Sequence, residues 1–350
     1  MDIGQINTLS KFLRQSGAQY RVFDMGRRVC KLTPEQFVSF DNCQRPYPYP
    51  FKRLAQMGII FWHPDAATKQ YVWFLQFPLD EQGLLVPDAR DAFLLMLLER
   101  LGEAMLAAAD GDKIQGALKD SPYTFEPRQD RMAAFNAHAT YALKLPPSKY
   151  YDSAYHYFTG ELSVDKWPGL AMQGLADFAI RLDTNEATLG LIQLLPKLPQ
   201  EPFHNLCVLL EHASPAAGIL EVLAQQIDIQ LQEKQPDTVK IISCLRAASN
   251  SPARGLVERM VMQVLKHRCS REIEVLAIIS GRIWPALVKQ PICELYLEQL
   301  AHNDAGQPGF SQLLADLLFI PGMREPVMHV LRNPKRSETL AKAVGEMFGK

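Results

Sequence analysis

Residues 71–101 read YVWFLQFPLDEQGLLVPDARDAFLLMLLERL, and the spacing of their apolar residues changes partway along. From Tyr71 to Phe77 the period is two. Tyr71, Trp73, Leu75 and Phe77 fall on one face of an extended strand, and Val72, Phe74 and Gln76 fall on the other. Both faces are largely apolar, so both are expected to be covered. Past Pro87 the period is 3.6. Asp88 stands where an N-cap belongs, and Phe93, Leu94, Leu97, Leu98, Leu101 and Met105 line one side of a helix of roughly 20 residues.

The chain upstream of this switch differs from the chain downstream. Residues 1–87 hold 14 of the 32 aromatic residues and carry 10 Lys and Arg against 7 acids. Ile59–His63 reads as a second strong strand. Tyr20–Phe23 and Arg28–Leu32 read as two shorter ones joined at Asp24-Met25-Gly26, with Gly26 supplying a positive φ for a tight turn. Ile3, Ile6, Leu9, Phe12 and Leu13 have helical spacing, with Asp2 as N-cap and Gly17 as the stop. Thr33-Pro34-Glu35-Gln36 opens another helix: Thr33 caps, Pro34 fits the first helical position, and Gln36 completes a capping box. Between Arg45 and Pro50, three prolines at alternate positions force extended backbone. The expected product over residues 1–87 is a small α+β domain with an antiparallel sheet of about four strands and two helices packed on it.

Residues 88–350 read as helices of ~10–17 residues separated by Pro, Gly, Asn and Ser. Pair starts fall at Pro168, Pro202, Pro236 and Ser270, and second helices begin near Asn185, Pro215, Pro252 and Pro291. A helix pair every ~34–45 residues marks stacked helical repeats of the HEAT or armadillo kind, an α-solenoid clearest over residues 168–335. The Trp, Gly and Tyr offsets of tetratricopeptide repeats are missing. The whole chain is therefore expected to be mainly α, an α+β head followed by a helical-repeat body.

Composition and motif spacing narrow the chemistry. With 37 basic and 38 acidic residues the formal charge is −1, which disfavours nucleic acid as the partner of the whole chain. The richest apolar run, Phe93 to Leu98, is too short for a membrane span, and Met1–Gly17 lacks the pattern of an export signal. Six cysteines at 30, 43, 207, 244, 269 and 293 form no C-x-x-C pair and read as free thiols. Gly111 to Gly116 has Walker spacing, but Ala117 and Leu118 stand where Lys and Ser or Thr must reach phosphate and Mg²⁺. Glu201 and His204 form a single Glu-x-x-His, short of a di-iron set, and Asp110-Gly111-Asp112 lacks the later acidic ligands of a Ca²⁺ loop. No nucleophile elbow occurs. No cofactor or metal is called for.

Two segments stand above this background. Tyr151, Tyr155 and Phe158 share a helix face within Tyr150–Phe158, beside His156, and Tyr suits a partner surface or a pocket mouth. Arg27, Arg28 and Lys31, then Arg45, Tyr47, Tyr49, Lys52 and Arg53, interleave basic and aromatic groups as a single-strand nucleic-acid binder does.

The run Thr8-Leu9-Ser10-Lys11-Phe12-Leu13, with Ser16-Gly17 and then Tyr20-Arg21-Val22-Phe23-Asp24-Met25-Gly26-Arg27-Arg28, resembles a gammaproteobacterial family, domain of unknown function 3549, over nearly the whole chain. The resemblance implies a bacterial, cytoplasmic protein and supplies no activity, cofactor or catalytic residue. The leading expectation is a non-enzymatic interaction protein whose helical body binds another protein or peptide. The alternative is an enzyme of unassigned class, its pocket between the N-terminal domain and the first helices near Tyr151, Tyr155 and His156. A third reading is nucleic-acid binding through Arg27, Arg28, Lys52 and Arg53.

Overall fold

The structure is a computed structural model, and it describes residues 6–66, 69–101, 118 and 121–349. Asp2, Ile3, Met105, the Gly111–Gly116 spacing with Ala117, and Asp110-Gly111-Asp112 lie outside the described residues. The protein is mainly helical with one four-stranded antiparallel sheet near its N-terminus. It divides into a sheet unit, Met1–Phe135 with Phe319–Pro321, and a helical unit, Asn136–Leu318 with Gly322–Lys350.

In the sheet unit the elements run α1 (Leu9–Gln15), β1 (Gln19–Asp24), β2 (Cys30–Lys31), α2 (Pro34–Asp41), β3 (Leu54–Trp62), β4 (Gln70–Pro78) and α3 (Pro87–Leu101). The strand order is β2-β1-β3-β4. The two faces of β4 are covered as its alternation requires. Trp73, Leu75 and Phe77 join Phe12, Phe37 and Phe40 of α1 and α2 and Phe93, Leu94 and Leu97 of α3 in one buried cluster. On the other face the Phe135 ring packs edge-on against Phe74 and Phe23, at 5.0 and 5.4 Å. Gly58 on β3 makes room for it, since a Cβ there would stand 2.6 Å from the Phe135 ring. The outer edge of β4 is covered too: Gln76 N–H donates to Tyr123 O (2.8 Å) and Phe125 N–H to Phe74 O (3.2 Å). Because α3 packs into the sheet's own cluster, the sheet unit reaches past residue 87.

The capping box at Thr33 and Gln36 forms as the sequence requires, with both reciprocal bonds in place. Two local expectations are corrected. Helix α1 starts at Thr8, whose hydroxyl accepts from Lys11 N–H, and its first turn is capped further by a distant carboxylate: Asp41, the last residue of α2, accepts from Leu9 N–H (3.1 Å) and Ser10 N–H (2.7 Å). Gly26 does not take a positive φ. The turn after β1 is instead held by Asp24, whose carboxylate accepts from the N–H groups of Gly26, Arg27 and Arg28 at 2.9–3.1 Å and from Tyr47 Oη–H at 2.8 Å. Gly26 is needed for close approach, because a Cβ would stand 3.1 Å from Phe51 Cβ. Complete burial pushes the Asp24 carboxyl up to about 6, opposed by these donors and by the Arg131 charge.

The helical unit contains the second half of α4 (Gln129–Ala142), then α5 (Tyr151–Phe158), α6 (Met172–Ile180), α7 (Asn185–Leu194), α8 (Gln200–Leu210), α9 (Ala217–Gln232), α10 (Thr238–Ala248), α11 (Arg254–Lys266), α12 (Ile273–Arg282) and α13 (Gln290–Ala301). After α14 (Gly306–Phe319) come α15 (Arg324–Leu331) and α16 (Glu338–Phe348). Contacts run in two rows: α6 on α8 on α10 on α12, and α5 on α7 on α9 on α11 on α13 on α15. A helix with neighbours on several sides must be apolar on several sides. On α11, buried Val257, Met260, Val261, Val264 and Leu265 form one broad stripe at i, i+3, i+4, i+7 and i+8.

One charge cluster ties three helices of the first row together at their C-terminal ends. Glu211, capping α8, is wholly buried. It is met by Arg246 Nε of α10 at 2.6 Å and Arg282 Nε of α12 at 2.7 Å. Burial alone would raise the Glu211 carboxyl; the Arg282 charge, then His212 and Arg246, overcome it and hold the group at about 2.

Leu97 is fully buried at the centre of the α3 stripe, so Leu97→Ala should cost about 2–5 kcal/mol in a denaturant titration. Glu211 ionises more readily folded than unfolded, so its stabilisation is present above its ordinary value of 4.5 and is lost as pH falls towards 2. Melting curves of wild type and Glu211→Gln should therefore stand far apart at pH ~7 and converge below pH ~4; a gap independent of pH would show that Glu211 is not held as an anion.

Candidate partner-binding surface

Helix α5 packs with Ala154, Tyr157 and Phe158 inward. Phe158 stacks on Phe178 of α6 at 4.9 Å, and the buried Tyr157 donates its hydroxyl to Val164 O at 2.9 Å. The face that begins at Phe158 continues towards solvent. Tyr155 meets Phe178 edge-on at 6.4 Å and Tyr151 at 5.9 Å, and both tyrosines are half-buried. His156 is exposed and paired through Nδ1 with Glu161 at 2.8 Å.

Groups from other helices complete this surface. Arg181, the C-cap of α6, lies 5.5 Å from the Tyr141 ring and donates through Nη2 to Leu145 O at 3.1 Å. The Tyr141 hydroxyl donates to Asp183 Oδ2 at 3.3 Å. Partial burial raises the Tyr151 hydroxyl, with Tyr155 and Asp183 adding to the effect and Arg181 opposing it. Desolvation raises the Tyr155 hydroxyl too, and its bond to the Glu186 carboxylate adds to this. The phenols therefore stay neutral donors. Exposed large apolar side chains gather on the flanking segments, namely Tyr141, Leu145, Tyr150, Leu162, Val164 and Leu189. The groups brought together are large amphipathic rings, one guanidinium and carboxylates that hold them in place. Arg181, Asp183 and Glu186 carry no signal in the sequence that ties them to Tyr151 and Tyr155.

The basic-aromatic strip of the sheet unit does not exist as a continuous surface. Arg27 and Arg28 are buried, at 1% and 5% exposure, and Arg27 Nε donates to Pro50 O at 2.5 Å. A guanidinium withdrawn from solvent by burial cannot track a phosphate chain, so the expectation that placed these two residues on a binding face is corrected. Tyr47 is buried against Asp24, and Arg45 pairs with Glu35 at 3.3 Å. Lys52 and Arg53 are exposed, at the tip of a turn closed by Phe51 and Leu54. Both have left-handed backbone, φ 51° and 59°, which a two-residue hairpin turn demands and which glycine or asparagine adopts more cheaply.

Groupings that resemble catalytic pairs have structural explanations. His204 Nδ1 lies 3.0 Å from Ser243 Oγ, but that hydroxyl is buried and donates to Val239 O one helical turn back. The six cysteines are free. Burial pushes the thiols of Cys30, Cys244 and Cys293 up to about 12 and that of Cys269 up to about 11, so they are not thiolates at neutral pH. Among the described residues no three His, Cys, Asp or Glu side chains gather as a metal set. No described helix is long and apolar enough to cross a membrane.

A family model described as "Protein of unknown function (DUF3549)" matches residues 4–348. No curated protein and no solved structure matches the chain.

The two halves of the basic strip should respond oppositely to mutation. Arg27→Ala takes the donor from the buried Pro50 carbonyl and should cost about 1–3 kcal/mol. Lys52→Gly relieves a left-handed residue and should raise stability by up to about 1 kcal/mol. Thermal melts distinguish the two; an unchanged melt for Arg27→Ala would return that residue to the surface.

Proposed function

The chain belongs to the family described as "Protein of unknown function (DUF3549)", and we propose that it is a non-catalytic scaffold that binds a partner protein on its helical unit. The observation that carries this reading is the half-exposed Tyr151–Tyr155 pair with Arg181 alongside, on segments where exposed apolar side chains concentrate. Tyr and Arg lose little freedom per contact made and dominate protein interfaces energetically.

An α-solenoid supplies the frame for such a surface. Support comes from the two rows of helices and from the regular span of the side-chain hydrogen bonds between them. Arg246 reaches Glu211 across 35 positions, Gln263 reaches Asp228 across 35, Ser251 reaches Pro215 O across 36 and Arg268 reaches Lys234 O across 34. Helix starts are spaced less evenly: Met172, Gln200, Thr238 and Ile273 follow one another in one row at steps of 28, 38 and 35, and Asn185, Ala217, Arg254 and Gln290 in the other at 32, 37 and 36. Repeat stacks present long surfaces on which neighbouring pairs act together. A bacterial cytoplasmic setting belongs to the same reading and rests on the family resemblance alone.

The test compares proteins enriched from native lysate by the wild-type chain and by a Tyr151→Ser, Tyr155→Ser variant whose melting temperature is checked first. A partner enriched by wild type and lost by the variant is expected. An enriched set that is the same for both would remove this surface as the binding site.

A further inference from the structure

We propose that the open edge of strand β1 is a second docking site, one that takes an extended peptide segment with alternating apolar and acidic residues. It lies within the sheet unit and does not depend on the tyrosine surface of α5.

Three observations place it. First, the sheet is closed at one edge and open at the other. Segment 123–125 covers β4, whereas β2 has two residues and pairs only with Phe23 and Asp24 of β1. Leu32 N–H extends that ladder by one bond, to Val22 O at 2.8 Å. The chain then leaves the edge at Thr33, because Pro34 has no N–H and opens α2. Antiparallel pairing fixes what remains. Met25 bonds inward to Gln56 O, so the odd-numbered residues of β1 face β3 and the even-numbered ones face outward. Tyr20 N–H and C=O therefore point out of the sheet beyond the end of β2.

Second, a cavity of about 280 Å³ lies along this stretch, between the β1 edge and the start of α2. Its lining divides by face. Tyr20 and Val22 share one face with Leu32 and Phe37, and the Tyr20 and Phe37 rings meet edge-on at 5.8 Å. Arg21 lies on the other face together with Lys31, which stands opposite Phe23 in register. A strand laid against β1 sends alternate side chains to these two faces. One set meets the half-buried Tyr20 ring, with Val22, Leu32 and Phe37 buried behind it, and the other meets two cations. Glu35, the acidic residue in the first turn of α2, is already paired with Arg45.

Third, a placeholder holds the edge. The Tyr20 carbonyl accepts from Arg21 Nη1 at 2.9 Å, the bond that an incoming backbone N–H would make. A guest strand takes over that carbonyl and frees the guanidinium, still seated 5.4 Å from the Trp62 ring, to meet the guest's carboxylate.

The probe is a fluorescein-labelled octapeptide alternating Val and Glu, titrated against the full chain by anisotropy. Saturable binding is expected, at least tenfold tighter than for an alternating Val and Lys peptide or for the Val and Glu peptide N-methylated at alternate amides. In an Arg21→Glu, Lys31→Glu variant with an unchanged circular dichroism spectrum, the preference should reverse towards the Lys peptide. The Tyr20 amide should gain protection from hydrogen exchange only when the acidic peptide is present. Failure to saturate by about 1 mM, indifference to N-methylation or an unreversed charge preference would each overturn the proposal. Sedimentation showing dimers of the wild type that the charge-reversed variant cannot form would give the edge to a second copy of the chain, and would equally overturn it.

Discussion

A carboxylate that leaves water must find donors or cations, and three such groups organise this protein. Asp24 gathers three backbone N–H groups and the Tyr47 hydroxyl, and in doing so shapes the turn after β1 and pins the Tyr47-Pro48-Tyr49-Pro50 segment over it. Asp41 closes the N-terminus of α1 from the end of α2, locking the two helices that cover one face of the sheet. Arg90 of α3 donates to Asp41 O at 2.6 Å, which brings the third covering helix to the same point. Glu211 does for the helical unit what these do for the sheet unit, joining α8, α10 and α12 through two guanidinium groups. Such groups contribute little net stability when measured against apolar replacements, but removing one partner is expensive. They fix where elements meet more than they fix how tightly.

Those meeting points are what the sequence conceals. The alternation from Tyr71 to Phe77 announced β4 and both of its covered faces, because a period of two admits one reading when the residues are aromatic and β-branched. The Thr33 capping box was legible for a similar reason, since all its parts lie within four positions. The start of α1 was not, because its second cap comes from Asp41, more than thirty positions away. Gly26 suggested a positive φ, yet the tightness there comes from the crowding of Phe51 and Tyr49 O. The covering of the β4 edge by residues 123–125 left no mark either, since those residues have no alternation of their own.

The proposed binding surface divides along the same line. Tyr151 and Tyr155 were legible as neighbours because i and i+4 share a helix face. Arg181, Asp183 and Glu186 join them only through the packing of α6 and α7 on α5. Arg27 and Arg28 show the reverse failure. Formal charge suggests exposure, but both side chains are buried, and the Arg27 guanidinium donates to Pro50 O as a buried tyrosine donates its hydroxyl. Sequence distinguishes charged from apolar residues well. It distinguishes a charge facing water from one facing carbonyls only when the partner is close in the chain.

The Glu211 cluster also sets a rule for how chains of this kind can change length. Its anion sits on one helix of a row and its cations on the next two, so duplicating or excising a helix pair between α8 and α12 would strand a charge in the interior. Gain or loss of a whole pair within that interval would have to rebuild the cluster. Past that interval Glu298 of α13 makes a tie of its own, accepting from the N–H and hydroxyl of Ser337 at the start of α16.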